Sequence, residues 1–251
     1  MPTKYVRYRL NNEDNYGRLN GETILQLAGA PYDGEQATGE TAALAEVTLL
    51  PPSEPSKVIA VGLNFRSHAG ERGAEKPELF AKLPSSLVGH GGNIEMPTDS
   101  TNLHYEGELV VVIGKTAKNI GKDQVKDHIF AITCGNDVSE RVWQQGDVQW
   151  LRAKASDTFG PTGPYMVAGV DYNDLLLESR VNGEVRQSER TTMLIHDVDE
   201  IISFTSRYFT LLPGDMVFTG TPGKTSALED GDVVEVEIEG IGTLRNPVAK
   251  A

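Results

Sequence analysis

The chain has 251 residues, of which 39% are hydrophobic and 24% charged, a composition typical of a globular protein and not of a disordered one. Its 23 Lys and Arg against 36 Asp and Glu give a net charge of −13, which disfavours nucleic acid and anionic membranes as partners. The single cysteine excludes an intrachain disulfide, and the longest apolar run, residues 109–113, is too short to cross a bilayer. Since the first residues also lack an apolar leader, we expect a cytoplasmic protein.

Short apolar segments in the first 50 residues predict a small β subdomain. The predicted strands cover residues 5–10, 23–27 and 46–50, with a polar, glycine-rich stretch at 29–41 between the last two. The proline-rich segment Pro51–Pro55 then stiffens the chain. We place a domain boundary there, so that residues 1–55 form the N-terminal β subdomain and residues 56–251 the main domain.

The main domain is predicted to contain more strands than helices. Strands are expected at residues 57–62, 109–113, 129–134, 216–218 and 234–238, and helices at 64–71, 138–145 and 198–209. Asp197 is a plausible cap for the last helix, and Asn182-Gly183 predicts a two-residue hairpin turn. The expected fold class is therefore α+β and mostly β.

Three acidic residues are candidate metal ligands. Glu106 and Glu108 open the most apolar strand and share one face of it, where two adjacent carboxylates require a cation, a shared proton or open water. Asp137 follows the strand at 129–134, and carboxylates at the ends of two buried strands would suit Mg²⁺ or Mn²⁺. The alternatives are a solvated strand end for the glutamates and, for Asp137, a capping box with Glu140.

Other residues are candidates for acid–base chemistry. His68 and Glu71 would share one side of a helical turn, where a carboxylate orients an imidazole and raises its basicity. Lys154, in a mixed-charge turn, could stabilise negative charge beside a metal. A surface pair and a solvated lysine are the alternatives. Cys134 lies in an apolar run, which favours a core residue over a nucleophile, and residues 220–225 lack the first glycine of a P-loop.

Residues 57–248 resemble the fumarylacetoacetate hydrolase family through an ordered set of motifs. The segments that carry the resemblance are Val61–Glu71 with its His-x-x-Glu, Tyr105–Gly114 with its Glu-x-Glu, Gly135–Ser139, Arg152–Pro161, Val181–Gln187 and Thr219–Gly223. Each motif is modest, but the ordered set is specific. It favours the chemical interpretation of the acidic, histidine and lysine candidates over the surface alternatives.

The resemblance implies a mixed β-roll and sandwich core, in which a small N-terminal β subdomain precedes a metal-dependent catalytic domain. The implied roles fall on eight positions, namely metal ligands Glu106, Glu108 and Asp137, catalytic residues His68, Glu71 and Lys154, and substrate contacts Gln187 and Thr221. The expected metal is Mg²⁺, with Mn²⁺ or Ca²⁺ as alternatives. A homodimer is also expected from the resemblance.

The activity implied by the resemblance is hydrolysis of a C–C bond in a 2,4-dioxo acid of the acylpyruvate or fumarylpyruvate type. The reaction would pass through a metal-bound enolate, with His68 and Glu71 activating water. The alternative within the family is a decarboxylase or isomerase of an unsaturated 2-oxo diacid in aromatic catabolism. A non-catalytic protein that binds a metal or an organic acid is the alternative from another class, and it would need none of His68, Glu71 and Lys154.

Overall fold

Strands are the main regular secondary structure in the computed structural model, which describes residues 2–251. In chain order the strands are β1 (Thr3–Leu10), β2 (Glu13–Asn20), β3 (Thr23–Leu27), β4 (Ala37–Ala43), β5 (Thr48–Leu49), β6 (Val58–Gly62), β7 (Glu78–Lys82), β8 (Leu87–Val88), β9 (Ile94–Met96), β10 (Leu103–His104), β11 (Gly107–Ile113), β12 (Ile129–Asn136), β13 (Ser139–Glu140), β14 (Gly160–Ala168), β15 (Leu176–Val181), β16 (Glu184–Arg190), β17 (Met216–Phe218), β18 (Val233–Ile238) and β19 (Gly242–Lys250). The helices are α1 (Arg66–Ala69), α2 (Arg141–Gly146), α3 (Leu151–Ala155) and α4 (Val198–Tyr208). The α+β, mostly β fold class is confirmed.

Two large sheets organise the chain. The 12-stranded sheet runs in the order β4-β3-β2-β1-β14-β12-β11-β17-β6-β7, with β5 paired to β1 and β8 to β14. The 5-stranded sheet runs β16-β15-β18-β19-β9, and β10 pairs with β13 alone. Because β1 pairs with β14, the N-terminal strands continue the same sheet as the following domain. The predicted division at residue 55 stays a prediction.

Strand β11 lies at the centre of the molecule and is buried along its whole length. One face of it packs Leu109 and Val111 against the 5-stranded sheet and against Ile201 of α4. The opposite face packs Val110 with Phe218 and other apolar residues inside the curved 12-stranded sheet. Because β11 is buried on both faces, both sets of its side chains at residues 109–113 are apolar, and this part of its sequence shows no alternation of apolar and polar residues.

Most of the predicted elements are present, with three corrections. The polar stretch at 29–41 contains the start of β4, and β2 was not predicted, since both strands are polar and largely exposed. The helix predicted at 138–145 is wrong at its start, because α2 begins at Arg141. The predicted Asn182-Gly183 hairpin is confirmed, and both residues have positive φ, at 53° and 79°. Among residues 2–251, no helix is both long and apolar enough to cross a membrane.

Helix α4 begins at the predicted cap. The Asp197 carboxylate accepts a hydrogen bond of 2.7 Å from the Glu200 backbone N–H, which satisfies one of the free donors of the first turn. We expect Asp197→Ala to lower the free energy of unfolding by about 1 kcal/mol. Urea denaturation measures this loss of unfolding free energy. Asp197→Asn is the matched control, because an asparagine side chain can still cap the helix. Equal losses in the two variants would contradict the capping role.

Candidate active site

The pairing of β11 with β12 brings the three predicted metal ligands together. The two strands are antiparallel, with Glu108 opposite Gly135, so the start of one strand lies beside the end of the other. Carboxylate oxygens of Glu106, Glu108 and Asp137 all lie within 4.8 Å of one another, and the three residues are buried. Asp137 does not cap a helix, since Glu140 accepts the hydrogen bond from Trp143 at the start of α2.

The two glutamates of this cluster experience opposite electrostatic environments. Burial, reinforced by the charges of Asp137 and Glu106, raises the pKa of the Glu108 carboxyl well above its usual value. Burial also acts on Glu106, but the cations of Lys154 and Arg141 outweigh it and hold the pKa of that carboxyl below its usual range. The two residues are equivalent in the sequence pattern, but in the folded protein their different neighbours shift their pKa values in opposite directions.

One glycine is required for the hydrogen bond that Glu108 accepts. The backbone N–H of Gly220 donates to Glu108 Oε2 at 2.7 Å. Gly220 has φ +106°, a conformation that residues with a side chain rarely adopt, and a Cβ there would lie 2.8 Å from Cβ of Asn64. Asn64 is itself buried and bonded to the carbonyl groups of Thr219 and His196, so it has no room to give way.

Three cationic side chains face the three carboxylates. Lys154 donates to Glu106 Oε2 at 2.5 Å and to Asp137 Oδ2 at 2.7 Å, and Arg141 donates to Glu106 Oε1 at 2.6 Å. Lys82 donates to Asp137 Oδ1 at 2.5 Å and also to the backbone carbonyl of Lys154. Lys154 was predicted in a turn, but it lies in helix α3 and is buried.

The formal charges of these six side chains sum to zero when all are ionised. Burying an unbalanced charge is expensive, which accounts for cations on several sides of the cluster. A divalent cation added to the cluster would leave two positive charges uncompensated. A dianionic ligand would restore the balance, as would a 2-oxo acid once it had lost a second proton.

His68 faces the cluster with one nitrogen fixed. Its Nδ1 lies 2.7 Å from the carbonyl oxygen of Gly223, so the proton belongs on Nδ1, where it is donated to that carbonyl. Nε2 is then the unprotonated nitrogen of the neutral ring, and it lies 3.7 Å from Glu106 Oε1. The ring is thus positioned to accept a proton at the edge of the cluster.

Glu71 is not hydrogen-bonded to His68 in the described part of the chain. Helix α1 ends at Ala69 and Gly70 has φ 57°, so the helical spacing behind the prediction does not hold. Glu71 is exposed, and within residues 2–251 neither a hydrogen bond nor an ion pair joins it to His68. The orienting acceptor is the Gly223 carbonyl instead. A catalytic role for Glu71 stays a prediction.

The two predicted substrate contacts differ in position. Thr221 lines the cavity beside the cluster, and its hydroxyl donates to the Gly107 carbonyl at 2.9 Å. Gln187 lies behind it, where its amide donates to Thr221 at 2.8 Å and accepts from Ser179 at 2.6 Å. Gln187 is buried and supports Thr221. Direct contact of Gln187 or Thr221 with a substrate stays a prediction.

Two joined cavities make up the site. The inner cavity, of about 30 Å³, is bounded by the carboxylate cluster and Lys154 and has room for an ion or a water molecule only. It opens past His68 and Arg141 into an outer chamber of about 570 Å³, a size typical of small-molecule sites. We expect most of a substrate to occupy the outer chamber.

Lys82 and Arg141 are the site residues that the sequence analysis missed. Lys82 is only 2% exposed, although a single lysine at the end of a strand ordinarily projects into water. The one indication in the sequence was the spacing from Phe80, because residues two apart in a strand lie on the same face and Lys82 therefore shares a face of β7 with an aromatic residue. Arg141 lies four residues after Asp137, at the start of α2. It was not singled out because the sequence analysis placed it inside a helix at 138–145.

The raised pKa of Glu108 leads to a prediction about cation binding. Because the pKa of the Glu108 carboxyl is raised, this group keeps its proton to higher pH than an ordinary glutamate, and a divalent cation must displace any proton bound there to use the oxygen as a ligand. We therefore expect proton release on Mg²⁺ binding, and an affinity that rises with pH. Calorimetry in HEPES and in Tris, whose ionisation enthalpies differ, measures the release.

Glu108→Gln is the matched control for this titration, because its side chain has the same shape and no proton to lose. Glu108→Gln also loses a ligand and should bind Mg²⁺ more weakly, but once enough Mg²⁺ is added to fill its site, its apparent binding enthalpy should be the same in both buffers. Buffer-independent enthalpy in the unmodified protein would show that Glu108 is already ionised.

Comparisons with known proteins agree with the fold. The family model described as fumarylacetoacetate (FAA) hydrolase C-terminal matches residues 57–249, and the one described as Rv2993c-like, N-terminal matches residues 3–52. A Xenopus laevis relative, "Oxaloacetate tautomerase fahd2, mitochondrial", is 36% identical over 91% of this chain and 76% of its own length.

Solved structures of two enzymes are similar over nearly all of the chain. The 2-hydroxyhepta-2,4-diene-1,7-dioate isomerase of Mycobacterium marinum is 40% identical with a TM-score of 0.93, covering 99% of this chain and 98% of that one. The maleylpyruvate hydrolase of Sphingobium sp. SYK-6, in complex with manganese(II) and pyruvate, is 26% identical with a TM-score of 0.83, covering 99% of both chains. The motifs, the two-sheet fold and these matches place the chain in one family of enzymes: it belongs to the fumarylacetoacetate hydrolase family.

Proposed function

We propose that this protein is a metal-dependent hydrolase that cleaves a C–C bond in a 2,4-dioxo acid of the acylpyruvate or fumarylpyruvate type. The observation that carries the proposal is the free Nε2 of His68 beside a buried carboxylate cluster, with Nδ1 held by the Gly223 carbonyl. A base with a fixed tautomer at the edge of a cation site is what activation of water requires. A protein that merely stored a metal or an organic acid would need no such base.

The donor set supports a hard divalent cation. Glu106, Glu108 and Asp137 offer only oxygen atoms, which Mg²⁺ and Mn²⁺ prefer and which soft metals do not. We propose Mg²⁺, with Mn²⁺ or Ca²⁺ as alternatives, and the manganese in the Sphingobium hydrolase is consistent with this class of ion. When bound, the cation would supply Lewis-acid polarisation of the substrate's 2-oxo and carboxylate oxygens.

The protein's own residues would carry the proton transfers and the charge. His68 Nε2 would take a proton from water, and the hydroxide oxygen would form a bond to the distal carbonyl carbon. The C–C bond then breaks, and its electron pair moves toward the 2-oxo oxygen to give an enolate and a released carboxylic acid. Lys154, whose pKa is raised by Asp137 and Glu106 against the effect of burial, stays charged and would stabilise the enolate oxygen. The proton held by His68 would then pass to the enolate carbon, which gives the 2-oxo acid product and returns the imidazole to its starting state.

A specific observation favours a second candidate, isomerisation or tautomerisation of a 2-oxo diacid. Within residues 2–251 no hydrogen bond or ion pair joins Glu71 to His68, whose Nδ1 is bonded to the Gly223 carbonyl instead. Moving a proton next to a carbonyl needs only the free nitrogen of His68 and the charge of Lys154. The names of the M. marinum isomerase and the Xenopus tautomerase support this candidate. Decarboxylation of such a diacid would use the same enolate.

We also propose that the protein acts as a homodimer in the cytoplasm. Exposed apolar side chains support self-association, since Val142, Val148 and Leu151 are 53%, 103% and 48% exposed. The single free, buried Cys134 is consistent with a reducing compartment. Light scattering after gel filtration would measure the mass, and a monomer at micromolar concentration would contradict the dimer.

Product analysis separates the candidate reactions. The purified protein is incubated with acetylpyruvate and with fumarylpyruvate, with Mg²⁺ or with a chelator, while the enol absorbance is followed. The hydrolase proposal predicts chelator-sensitive formation of pyruvate with acetate or fumarate. Faster exchange between keto and enol forms of a 2-oxo diacid such as oxaloacetate, without cleavage, would favour tautomerisation, and release of CO₂ would favour decarboxylation.

A further inference from the structure

The outer chamber of the site is lined by cations and by no carboxylate. Its charged lining residues are Arg72, Arg141 and Lys224, beside neutral residues that include Leu63 and Trp150. This is unusual in a chain of net charge −13, where acidic residues outnumber basic ones by 36 to 23. A groove of about 900 Å³ elsewhere is lined by no Lys, Arg, Asp or Glu, and the cavity lined by Lys76, Lys122 and Arg207 also has Glu200 in its wall, so neither combines several cations with the absence of a carboxylate.

Arg72 and Lys224 have no partner that explains their position. Arg141 is bonded to Glu106, but no hydrogen bond or ion pair to another side chain is present for Arg72 or Lys224 in the described part of the chain. Both are exposed, and both face the chamber from segments tied to each other. Gly223 N–H donates to Ser67 Oγ at 2.9 Å, and the Gly223 carbonyl holds His68.

The sizes of the two cavities determine where each part of a substrate can lie. The inner cavity, of about 30 Å³, is too small for more than an ion or a water, so the chain of a 2-oxo acid must extend into the outer chamber. An alkyl or methyl terminus there would leave two cations without a counter-ion. A carboxylate terminus would pair with them, and the flat side of Trp150 and the side chain of Leu63 would cover the hydrocarbon between the two ends.

We propose that Arg72 and Lys224 form a subsite for the distal carboxylate of a 2-oxo diacid, and that they select diacids over 2-oxo acids with an apolar end. The subsite is separate from the carboxylate cluster and deepens the proposed function, on which it rests. It applies equally to the hydrolase and to the isomerase, because both would bind the same kind of substrate.

A matched pair of ligands tests the subsite without turnover. 2-Oxoadipate and 2-oxohexanoate have the same six-carbon chain and the same 2-oxo acid end, and they differ only in a terminal carboxylate or methyl group. Neither is a 2,4-dioxo acid, so neither is a substrate for C–C hydrolysis. Calorimetry with saturating Mg²⁺ should show that 2-oxoadipate binds about 100-fold more tightly, as expected for two charge-assisted contacts worth about tenfold each.

Variants then assign the preference to residues. Arg72→Gln and Lys224→Gln should each weaken 2-oxoadipate binding about tenfold and leave 2-oxohexanoate binding unchanged, and the double variant should lose the preference. Lys76→Gln is the matched control, since Lys76 is an exposed lysine that lines a different cavity. It should behave as the unmodified protein, which excludes a general effect of one lost positive charge.

The outcomes separate the subsite from the proposed function. Equal affinity of the unmodified protein for the two ligands, or binding of neither, overturns the subsite. Equal weakening of both ligands in the Arg72 and Lys224 variants also overturns it. If the selective loss is seen while neither acetylpyruvate nor fumarylpyruvate is cleaved, the subsite stands and the hydrolase proposal fails.

Discussion

Replacing Lys154 with methionine is expected to lower kcat about 10³-fold on any 2-oxo acid that the enzyme converts, as for loss of a preorganised group that stabilises an oxyanion. Lys154 is 3% exposed and donates to Glu106 at 2.5 Å and to Asp137 at 2.7 Å. Its charge is buried, in surroundings of low polarisability where electrostatic stabilisation of a transition state is stronger than in water. Steady-state kinetics with saturating Mg²⁺ measure the loss.

The matched control is Lys115→Met, because Lys115 is exposed and its side chain takes no part in the site. Mg²⁺ binding to Lys154→Met should be retained, because the three carboxylates remain in place. A folded, Mg²⁺-bound Lys154→Met variant with kcat within tenfold of the unmodified enzyme would contradict the role given to this lysine.

Replacing Lys82 with methionine is expected to lower the free energy of unfolding by about 3–5 kcal/mol in the presence of a chelator. Lys82 is 2% exposed and bonds Asp137 at 2.5 Å, so its removal leaves a buried carboxylate with one cation fewer. Burial lowers the pKa of Lys82, and Asp137 opposes that effect. Urea denaturation monitored by circular dichroism measures the loss.

Mg²⁺ and a second substitution distinguish this charge effect from simple loss of packing. Saturating Mg²⁺ should reduce the loss, because a cation at the cluster compensates the Asp137 charge in the folded state. The double variant Lys82→Met/Asp137→Asn should also lose less than the two single losses added together. Equal losses with Mg²⁺ and with chelator, and additive losses in the double variant, would show that Lys82 acts only by filling space.

The central strands could be predicted from sequence because their burial leaves a continuous apolar pattern. β11 and β12 are such strands, and their antiparallel pairing was enough to bring Glu106, Glu108 and Asp137 together. Strands β2 and β4 could not be found in this way, because they are polar and are held by neighbours in a sheet that only tertiary structure assembles. Local propensity is weak for such strands.

The side chains around the carboxylates were harder to predict than the carboxylates themselves. Lys82 lies 55 residues before Asp137 in the chain, and no local pattern indicates that the two meet. Arg141 and the carbonyl of Gly223 depend likewise on how loops fold over the site. His68 and Glu71 are not hydrogen-bonded, because α1 ends at Ala69 and Gly70, with positive φ, begins a separate 3-10 turn over Gly70–Arg72.

The claim on which the whole account depends is that Glu106, Glu108 and Asp137 hold a divalent cation. Titration with Mn²⁺ followed by electron paramagnetic resonance counts bound ions directly. We expect one Mn²⁺ per chain, and affinity lower by more than about 100-fold in Glu106→Gln and Asp137→Asn, since even outer-shell changes cost 10–100-fold. Glu235→Gln, in the similar but half-exposed Glu-x-Glu of β18, should bind Mn²⁺ as the unmodified protein does. Unchanged Mn²⁺ binding in Glu106→Gln and Asp137→Asn would contradict the site.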